Sequence, residues 1–313
     1  MPHAIATLTL NPALDKSLSV ERVLPERKLR GENPRHDPGG GGVNVARAVG
    51  KLGGQATAIL LAGGPTGARI GKALEIEGVA HRAIPIADDT RENLTVHETS
   101  TGLQYRFGEP GATTTPEELS AAFEAVRALA TDLVVFSGSL GPGMPVETYA
   151  DGLRALGQAR VILDTSGPAL ADALGAGAFL IKPNLRELAS LVGRDIETNQ
   201  DLADAARSLV ESGAAENVLV SLGAGGALLA MQDGTVTRLL APTVRPVSKV
   251  GAGDSAVAGL VLSLARGEDL ATAARWAVAA GTAATLTDGT ELCRREDVHE
   301  GHAIPAAASL EAD

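Results

Sequence analysis

DLVVFSGSLGPGMPVETYADGLRALGQARVILD, residues 132–164, holds two short apolar runs, L-V-V-F and V-I-L-D, on either side of a helical pattern. Runs that do not alternate with polar residues suit strands buried on both faces, as in a parallel sheet covered by helices. Strands over 132–137 and 160–164 with a helix over 146–156 between them make one unit of such a sheet. The alternation extends outward in both directions. Strands at 4–10 and 56–62 alternate with helices at 43–52, closed by Gly53-Gly54, and 66–77, ended by Gly78. Beyond 164 come a short helix near 168–174, a strand at 178–182, helices at 185–192 and 200–212, and strands at 217–221 and 226–231. Two Ala-rich helices, about 253–266 and 270–286, close the pattern. The expectation is a doubly wound α/β core with three layers, α/β/α, around a mostly parallel sheet.

Two segments interrupt this rhythm. Residues 15–37 are polar, charged and non-helical, and residues 90–108 alternate around a T-G turn and read as a hairpin. Together they are expected to form a small β-sheet outside the main sandwich. Ligands of open α/β folds bind beyond the carboxyl ends of the strands, so such an appendage is placed to act as a lid. The chain carries no internal repeat and no low-complexity linker, and the tail A-I-P-A-A-A-S-L-E-A-D reads as frayed.

Composition narrows the function. The 313 residues carry a net charge of −11, which argues against a nucleic-acid or anionic-membrane surface. An anionic ligand would need a local cluster of Lys and Arg. The lone cysteine, Cys293, excludes an internal disulfide and a cysteine-built metal cage. No apolar run reaches transmembrane length, and M-P-H-A-I-A-T-L-T-L enters a strand without a basic region or cleavage site, so a cytoplasmic protein is expected.

Five constellations of polar, basic or glycine residues stand out in the sequence. P-G-G-G-G-V-N-V-A-R-A, residues 38–48, allows close backbone approach at a helix start, without the Gly-Lys-Ser/Thr of a Walker loop. It reads as a turn or as a ligand loop, with Asn44 as a cap or as an amide for a hydroxyl-rich ligand. Lys28, Arg30, Arg91 and Arg106 form a basic set on the lid segments, either a solvated face or forks for phosphate oxygens. L-I-K-P-N-L-R-E-L, residues 180–188, spaces Asn184 and Glu187 as a capping box or as a polar pair for hydrated Mg²⁺. V-S-L-G-A-G-G-A-L-L, residues 220–229, is a hairpin turn or the floor of a nucleotide site. K-V-G-A-G-D-S, residues 249–255, opens a helix and offers N–H groups to an anion, with Asp254 in the same turn. Asp254 reads as a cap or as a carboxylate held ionised by the dipole.

Taken together, and in this order, the motifs resemble the phosphofructokinase B family of ribokinase-like sugar kinases over essentially the whole chain. The resemblance rests on G-G-G-G-V-N-V-A-R-A-V-G-K-L-G-G, S-G-S-L-G-P-G (137–143), K-P-N-L-R-E-L, V-S-L-G-A-G-G-A and S-K-V-G-A-G-D-S-A-V-A-G. It implies a single kinase domain over 1–313 with a ribokinase-like core and a β lid. It also implies ATP-dependent phosphoryl transfer to a sugar hydroxyl. Asp254 matches the family's catalytic base, and Gly251, Ala252 and Gly253 its anion hole. Asn184 and Glu187 match the pair that organises Mg²⁺, through water, and phosphates. Ser221, Gly223 and Gly226 match nucleotide contacts, as do Lys182 and Ser248. Asp15, Gly40, Gly41 and Asn44 match positions that hold sugar hydroxyls. A monovalent cation, K⁺ in some relatives, would lie by Ser248, Val250, Ala284, Thr287 and Gly289.

The glycine run has no lysine, unlike fructose-1-phosphate and tagatose-6-phosphate kinases of the family. With K-L-R at 28–30 and T-R-E-N-L at 90–94 it looks most like the ATP-dependent 6-phosphofructokinases. That likeness implies fructose 6-phosphate as acceptor, with Lys28, Arg30, Arg91, Arg106 and Ser139 on its phosphate and Lys28 also on the transferred charge. Tagatose-6-phosphate and 1-phosphofructokinase activities are the nearest alternatives, and a non-catalytic phosphosugar-binding regulator is the alternative of another class. A homodimer through the lid is expected, as in many relatives. Three positions depart from the pattern: Lys249 where relatives often carry Thr, Gly141 for a Pro, and Leu24 where a ring would stack on a second nucleotide. A hydrolase built on Ser139 is excluded, because S-G-S-L-G is not a G-x-S-x-G elbow.

Overall fold

All of Leu133–Ser137 is buried, and alternate side chains go to two different cores. Leu133 and Val135 join the apolar cluster on one side of the sheet, and Val134 and Phe136 join the cluster on the other. The period-2 geometry of a strand thus serves two helix layers at once, and this is the physical content of the unbroken apolar runs. The computed structural model describes residues 4–289 and 291–302; the tail from Ala303 onward lies outside the described residues.

In chain order the first elements are β1 (Ile5–Thr9), β2 (Ala13–Val20), β3 (Glu32–Gly39), α1 (Gly41–Lys51), β4 (Thr57–Ala62), α2 (Gly64–Ile76) and β5 (Ala80–Pro85). Next come β6 (Arg91–Glu98), β7 (Gln104–Phe107), α3 (Pro116–Ala128), β8 (Leu133–Ser137), α4 (Thr148–Leu156), β9 (Arg160–Asp164) and α5 (Gly167–Asp172). The third group is β10 (Leu180–Ile181), α6 (Leu185–Val192), α7 (Asn199–Glu211), β11 (Asn217–Ser221), β12 (Ala227–Ala230) and β13 (Val236–Leu239). The chain continues through α8 (Ala252–Ala265), α9 (Leu270–Ala284) and α10 (Arg295–His302).

Nine strands make one sheet in the order β13-β12-β11-β10-β9-β8-β1-β4-β5, parallel from β11 to β5 and antiparallel at β12 and β13. Helices α1, α2, α8, α9 and α10 bury apolar side chains in one cluster, and α3 to α7 in the other. Helices α8 and α9 pack closely over small residues: a Cβ on Gly259 would lie 2.5 Å from the Trp276 carbonyl oxygen. Among the described residues no helix is long and apolar enough to cross a membrane.

The second sheet is four-stranded, in the order β3-β2-β6-β7. Two antiparallel hairpins, β2–β3 and β6–β7, join through a parallel β2–β6 pair. The strands begin and end slightly outside the expected limits of 15 and 37, because Ala13 pairs with both Gly39 and Arg91.

The expected strand at 178–182 shrinks to Leu180–Ile181. Four elements lie outside the sequence reading. β5 is a sheet edge whose A-H-R-A-I-P pattern is mostly exposed, so it gives no apolar run. α3 is announced only by its Thr115–Glu118 capping box. β13 has four residues, and α10 is a short polar helix.

Candidate active site

The carboxyl ends of the parallel strands converge on the N-termini of α1 and α8. Thr9 closes β1, and its hydroxyl accepts the Val43 N–H at 2.8 Å, which seats the start of α1 on the strand. Gly41 must be a glycine there, since a Cβ would lie 2.2 Å from the Ser137 Oγ and 2.7 Å from the Gly138 nitrogen. Asn44 is not a cap, because Gly40 holds the N-cap position of α1. Its buried amide instead donates to Asp254 Oδ2 at 2.9 Å, across 210 residues of chain.

Gly251 caps α8 in the left-handed region at φ 73° and makes no side-chain cap bond. The N–H groups that open a helix have no partner within it, so the turn Gly251-Ala252-Gly253 presents donors and the positive dipole end. Asp254 stands in that first turn. Burial pushes its pKa up to about 6, with the Asp164 charge adding to it; the Asn44 N–H and Lys182 act against the rise, and Asp15 adds a smaller push.

Lys182 and Asp164 pair at 3.0 Å behind this turn, both largely removed from solvent. Burial pulls the Lys182 pKa down, but Asp164, Asp254 and Glu187 together hold it above the usual value. The ammonium lies close to the α8 turn, 3.6 Å from where a Cβ on Gly253 would stand. Asp164 has no counterpart in the motif reading. Its signal is a carboxylate closing an apolar run, V-I-L-D, at the carboxyl edge of a parallel sheet.

The four-stranded sheet supplies the opposite wall. Asp15 accepts the Asn93 amide at 2.8 Å, and a Cβ on Gly39 would lie 2.1 Å from its Oδ2. Burial raises the Asp15 pKa, and Asn93, Arg91 and Arg106 moderate the rise. By register Asp15, Asn93 and Thr95 share one face of the sheet with Arg106, which is exposed. Asn11, buried after β1, donates its amide to the Ser139 hydroxyl at 3.3 Å, the same distance as to the Pro110 and Leu140 carbonyls. Neither Asn11 nor Asn93 is singled out by the motifs; an Asn-Pro just past the first strand was the available signal for Asn11.

Asn184 and Glu187 form the capping box in full. The Asn184 Oδ1 accepts the Arg186 and Glu187 N–H groups, and Glu187 Oε2 accepts the Asn184 N–H at 2.8 Å. The second Glu187 oxygen and the Asn184 NH₂ have no role in the box. One carboxylate oxygen and one amide NH₂ left over from the box suit an ion that keeps its waters. Ser221 ends β11, and a short 3-10 turn over Gly223–Gly225 leads to Gly226, which opens the antiparallel return into β12. The loop at Val247–Ser248 is tied to the end of α9 by two N–H bonds to the Thr285 carbonyl, at 2.7 and 3.2 Å. Ser248 Oγ accepts the Val250 N–H, and the Thr287 hydroxyl lies 2.9 Å from the Ala284 carbonyl. Gly289 follows in a left-handed turn.

Three expected phosphate ligands are placed otherwise within one chain. Arg91 donates to the Asn11, Pro12 and Glu109 carbonyls, so its fork ties the second sheet to the loop after β1. Lys28 and Arg30 lie exposed on the β2–β3 connection. That connection is at the far end of the hairpin from Ala13 and Gly39, about 25 Å away along an eight-residue strand. A chain reversal in a hairpin puts its tip away from its base, and local sequence does not reveal which end meets the site.

Residues 9–297 match the pfkB family of carbohydrate kinases. The chain is 45% identical over 299 residues to ATP-dependent 6-phosphofructokinase isozyme 2 of Mycobacterium tuberculosis, covering 94% of this chain and 87% of that protein. It superposes with a TM-score of 0.92 on phosphofructokinase-2 of Escherichia coli in complex with potassium, at 43% identity over 96% of this chain and 98% of that one. The same Escherichia coli protein in complex with fructose-6-phosphate superposes with a TM-score of 0.89 at 42% identity, with the same coverage.

Proposed function

The chain belongs to the pfkB family of carbohydrate kinases, and we propose that it transfers the γ-phosphoryl group of ATP to O1 of fructose 6-phosphate, giving fructose 1,6-bisphosphate. The observation that carries this reading is a half-buried carboxylate, held by the Asn44 amide at 2.9 Å, in the same helix turn as free N–H donors. Asp254 takes the proton of the acceptor hydroxyl while the N–H groups of Gly251, Ala252 and Gly253 meet the charge that develops on the transferred group. Asn184 and Glu187 hold hydrated Mg²⁺, which when bound supplies positive charge to the phosphate oxygens. Lys182, Ser221, Gly223, Gly226 and Ser248 contact the nucleotide. Asp15, Gly40, Gly41 and Asn44 hold the sugar hydroxyls, and Arg106 and Ser139 receive the 6-phosphate, with Asn11 and Arg91 shaping that pocket. Carbonyls at Val250, Ala284 and Gly289, with Ser248 and Thr287, form a site for a monovalent cation, a reading supported by the potassium complex of the Escherichia coli relative. A donor such as ATP places the activity in the cytoplasm. Assayed side by side with ATP, fructose 6-phosphate should give the highest kcat/KM among fructose 6-phosphate, tagatose 6-phosphate, fructose 1-phosphate and unphosphorylated fructose. A preference for another ketose phosphate would replace the acceptor, and no ADP release with any of them would favour the regulator.

Residues 1–313 act as one kinase domain whose four-stranded sheet closes over the sugar and pairs with a second copy. Opposite the polar face, the register aligns Leu18, Leu94, Val96, Tyr105 and Phe107 on one side of that sheet, with Phe107 58% exposed. The same face carries the Lys16–Glu92 ion pair, and the exposed Phe107 ring at its edge favours a partner. The exposed Lys28 and Arg30 would then serve the partner's site, which accounts for their distance from their own. Mixing Asp254→Asn copies with Lys28→Ala/Arg30→Ala copies should restore activity that neither has alone. No recovery after subunit exchange would remove the role in trans.

A further inference from the structure

Arg47 lies beneath the glycine run, only 3% exposed, on the same face of α1 as Asn44. Its guanidinium grips both oxygens of Glu77, each at 2.8 Å, just past the end of α2. The remaining nitrogen, Nη1, donates to the Pro38 carbonyl at 2.9 Å and to Asn44 Oδ1 at 3.3 Å. Asn44 Nδ2 in turn donates to Asp254 Oδ2. An amide has two unlike ends, and in a symmetric environment either could face the carboxylate. Here the environment is not symmetric: a guanidinium only donates and a carboxylate only accepts. With Arg47 on one side and Asp254 on the other, a single orientation satisfies every group.

We propose that Arg47 is a positioning residue for phosphoryl transfer: anchored by Glu77, it fixes the Asn44 amide so that its N–H, and not its oxygen, faces Asp254. This deepens the kinase reading and rests on Asp254 being the base. A reversed amide would set its oxygen against the carboxylate, removing a charge-assisted bond and adding a repulsion at the group that must stay ionised. Asp164 from the end of β9, Lys182 after β10, Asp15 from β2 and the N-terminus of α8 also face Asp254, and none of them can orient the amide. Because Nη1 also holds the Pro38 carbonyl near the end of β3, the same side chain joins the second sheet to the base.

Arg47→Lys keeps a charge opposite Glu77 but has no fork to span Glu77, Pro38 and Asn44. It should lower kcat/KM for fructose 6-phosphate at least roughly ten-fold, about the worth of one charge-assisted bond. It should also move the acidic limb of the kcat/KM profile upward by roughly one pH unit. Glu77→Gln, which loosens the guanidinium without removing it, should move the limb the same way by less. In an Asn44→Ala background Arg47→Lys should leave the limb where Asn44→Ala alone puts it. A purely structural Arg47 would lower Tm and leave the limb in place. The proposal is overturned if both Arg47→Lys and Glu77→Gln keep the wild-type limb, or if Arg47→Lys moves it equally without Asn44. The two readings fail separately: an active Asp254→Asn variant removes the base assignment, whereas an inactive one with unmoved Arg47 and Glu77 variants removes only this inference.

Discussion

Asp254→Asn should lower kcat by roughly 10²–10⁴-fold, the usual worth of a general base, while binding of ATP and fructose 6-phosphate stays near normal. The amide keeps the size and the polar contact with Asn44 but cannot accept the proton of the acceptor hydroxyl. Wild-type kcat/KM should show an acidic limb near pH 6, where the Asp254 carboxyl of the unliganded protein titrates, and the residual activity of the variant should lack it. Steady-state kinetics over pH, with calorimetry for binding, check the expectation; a variant with near-normal kcat removes Asp254 from the chemistry. Stability should change in the opposite direction. A carboxyl whose pKa is higher folded than unfolded favours the folded state below its unfolded value of 3.8 and loses that favour as pH rises through about 6. At neutral pH the wild type therefore carries the cost of a buried carboxylate, at most about 3 kcal/mol and less where solvent reaches the cleft. Asp254→Asn should raise Tm at neutral pH and by less near pH 4, so an unchanged or lowered Tm at neutral pH would contradict the burial argument. Function and stability are opposed at this residue because the same desolvation that costs folding energy tunes the base.

The second large effect is expected from Lys182→Met. Lys182 is the cation between two carboxylates, in contact with Asp164 at 3.0 Å and within electrostatic reach of Asp254. Without it, Asp164 and Asp254 face each other uncompensated, and the Asp254 pKa, already pushed up to about 6, rises further. The base is then protonated over more of the neutral range, so kcat/KM at neutral pH should fall by roughly 10-fold from this cause, with partial recovery at alkaline pH. Breaking one half of a buried pair should also cost about 3–5 kcal/mol of stability. The Lys182 pKa is held high in the folded protein, so its contribution is fully present at neutral pH and is lost only as pH rises through that folded value. Adding Asp164→Asn removes the repelling charge and should return the acidic limb toward its wild-type position, whatever happens to ATP affinity. If the double variant keeps the limb of Lys182→Met, the electrostatic account fails and Lys182 acts through the nucleotide alone.

The layered core is legible because its causes are local. L-V-V-F and V-I-L-D alternate between two helix layers, and that requirement appears in the sequence as apolar runs without polar interruption. The edge strand β5 escapes the same reading because only one of its six residues is buried. The five motifs likewise mark strand ends and helix starts, and each lies where the sheet opens.

The layering, the family and the turns that carry polar groups can all be read from the chain alone. What those groups touch depends on the folded arrangement. Asn184 and Glu187 close a capping box, Arg91 is committed to carbonyls, and Lys28 and Arg30 sit at the remote end of a hairpin. Asp164 and Arg47, absent from any motif-based assignment, hold the cation and the amide that serve Asp254. The difference is one of range. Hydrophobic periodicity and capping act over a few residues and leave a local trace, whereas the Asn44–Asp254 bond spans 210 residues. Its geometry is set by how α1 and α8 pack on the sheet, and no short stretch of sequence carries that information.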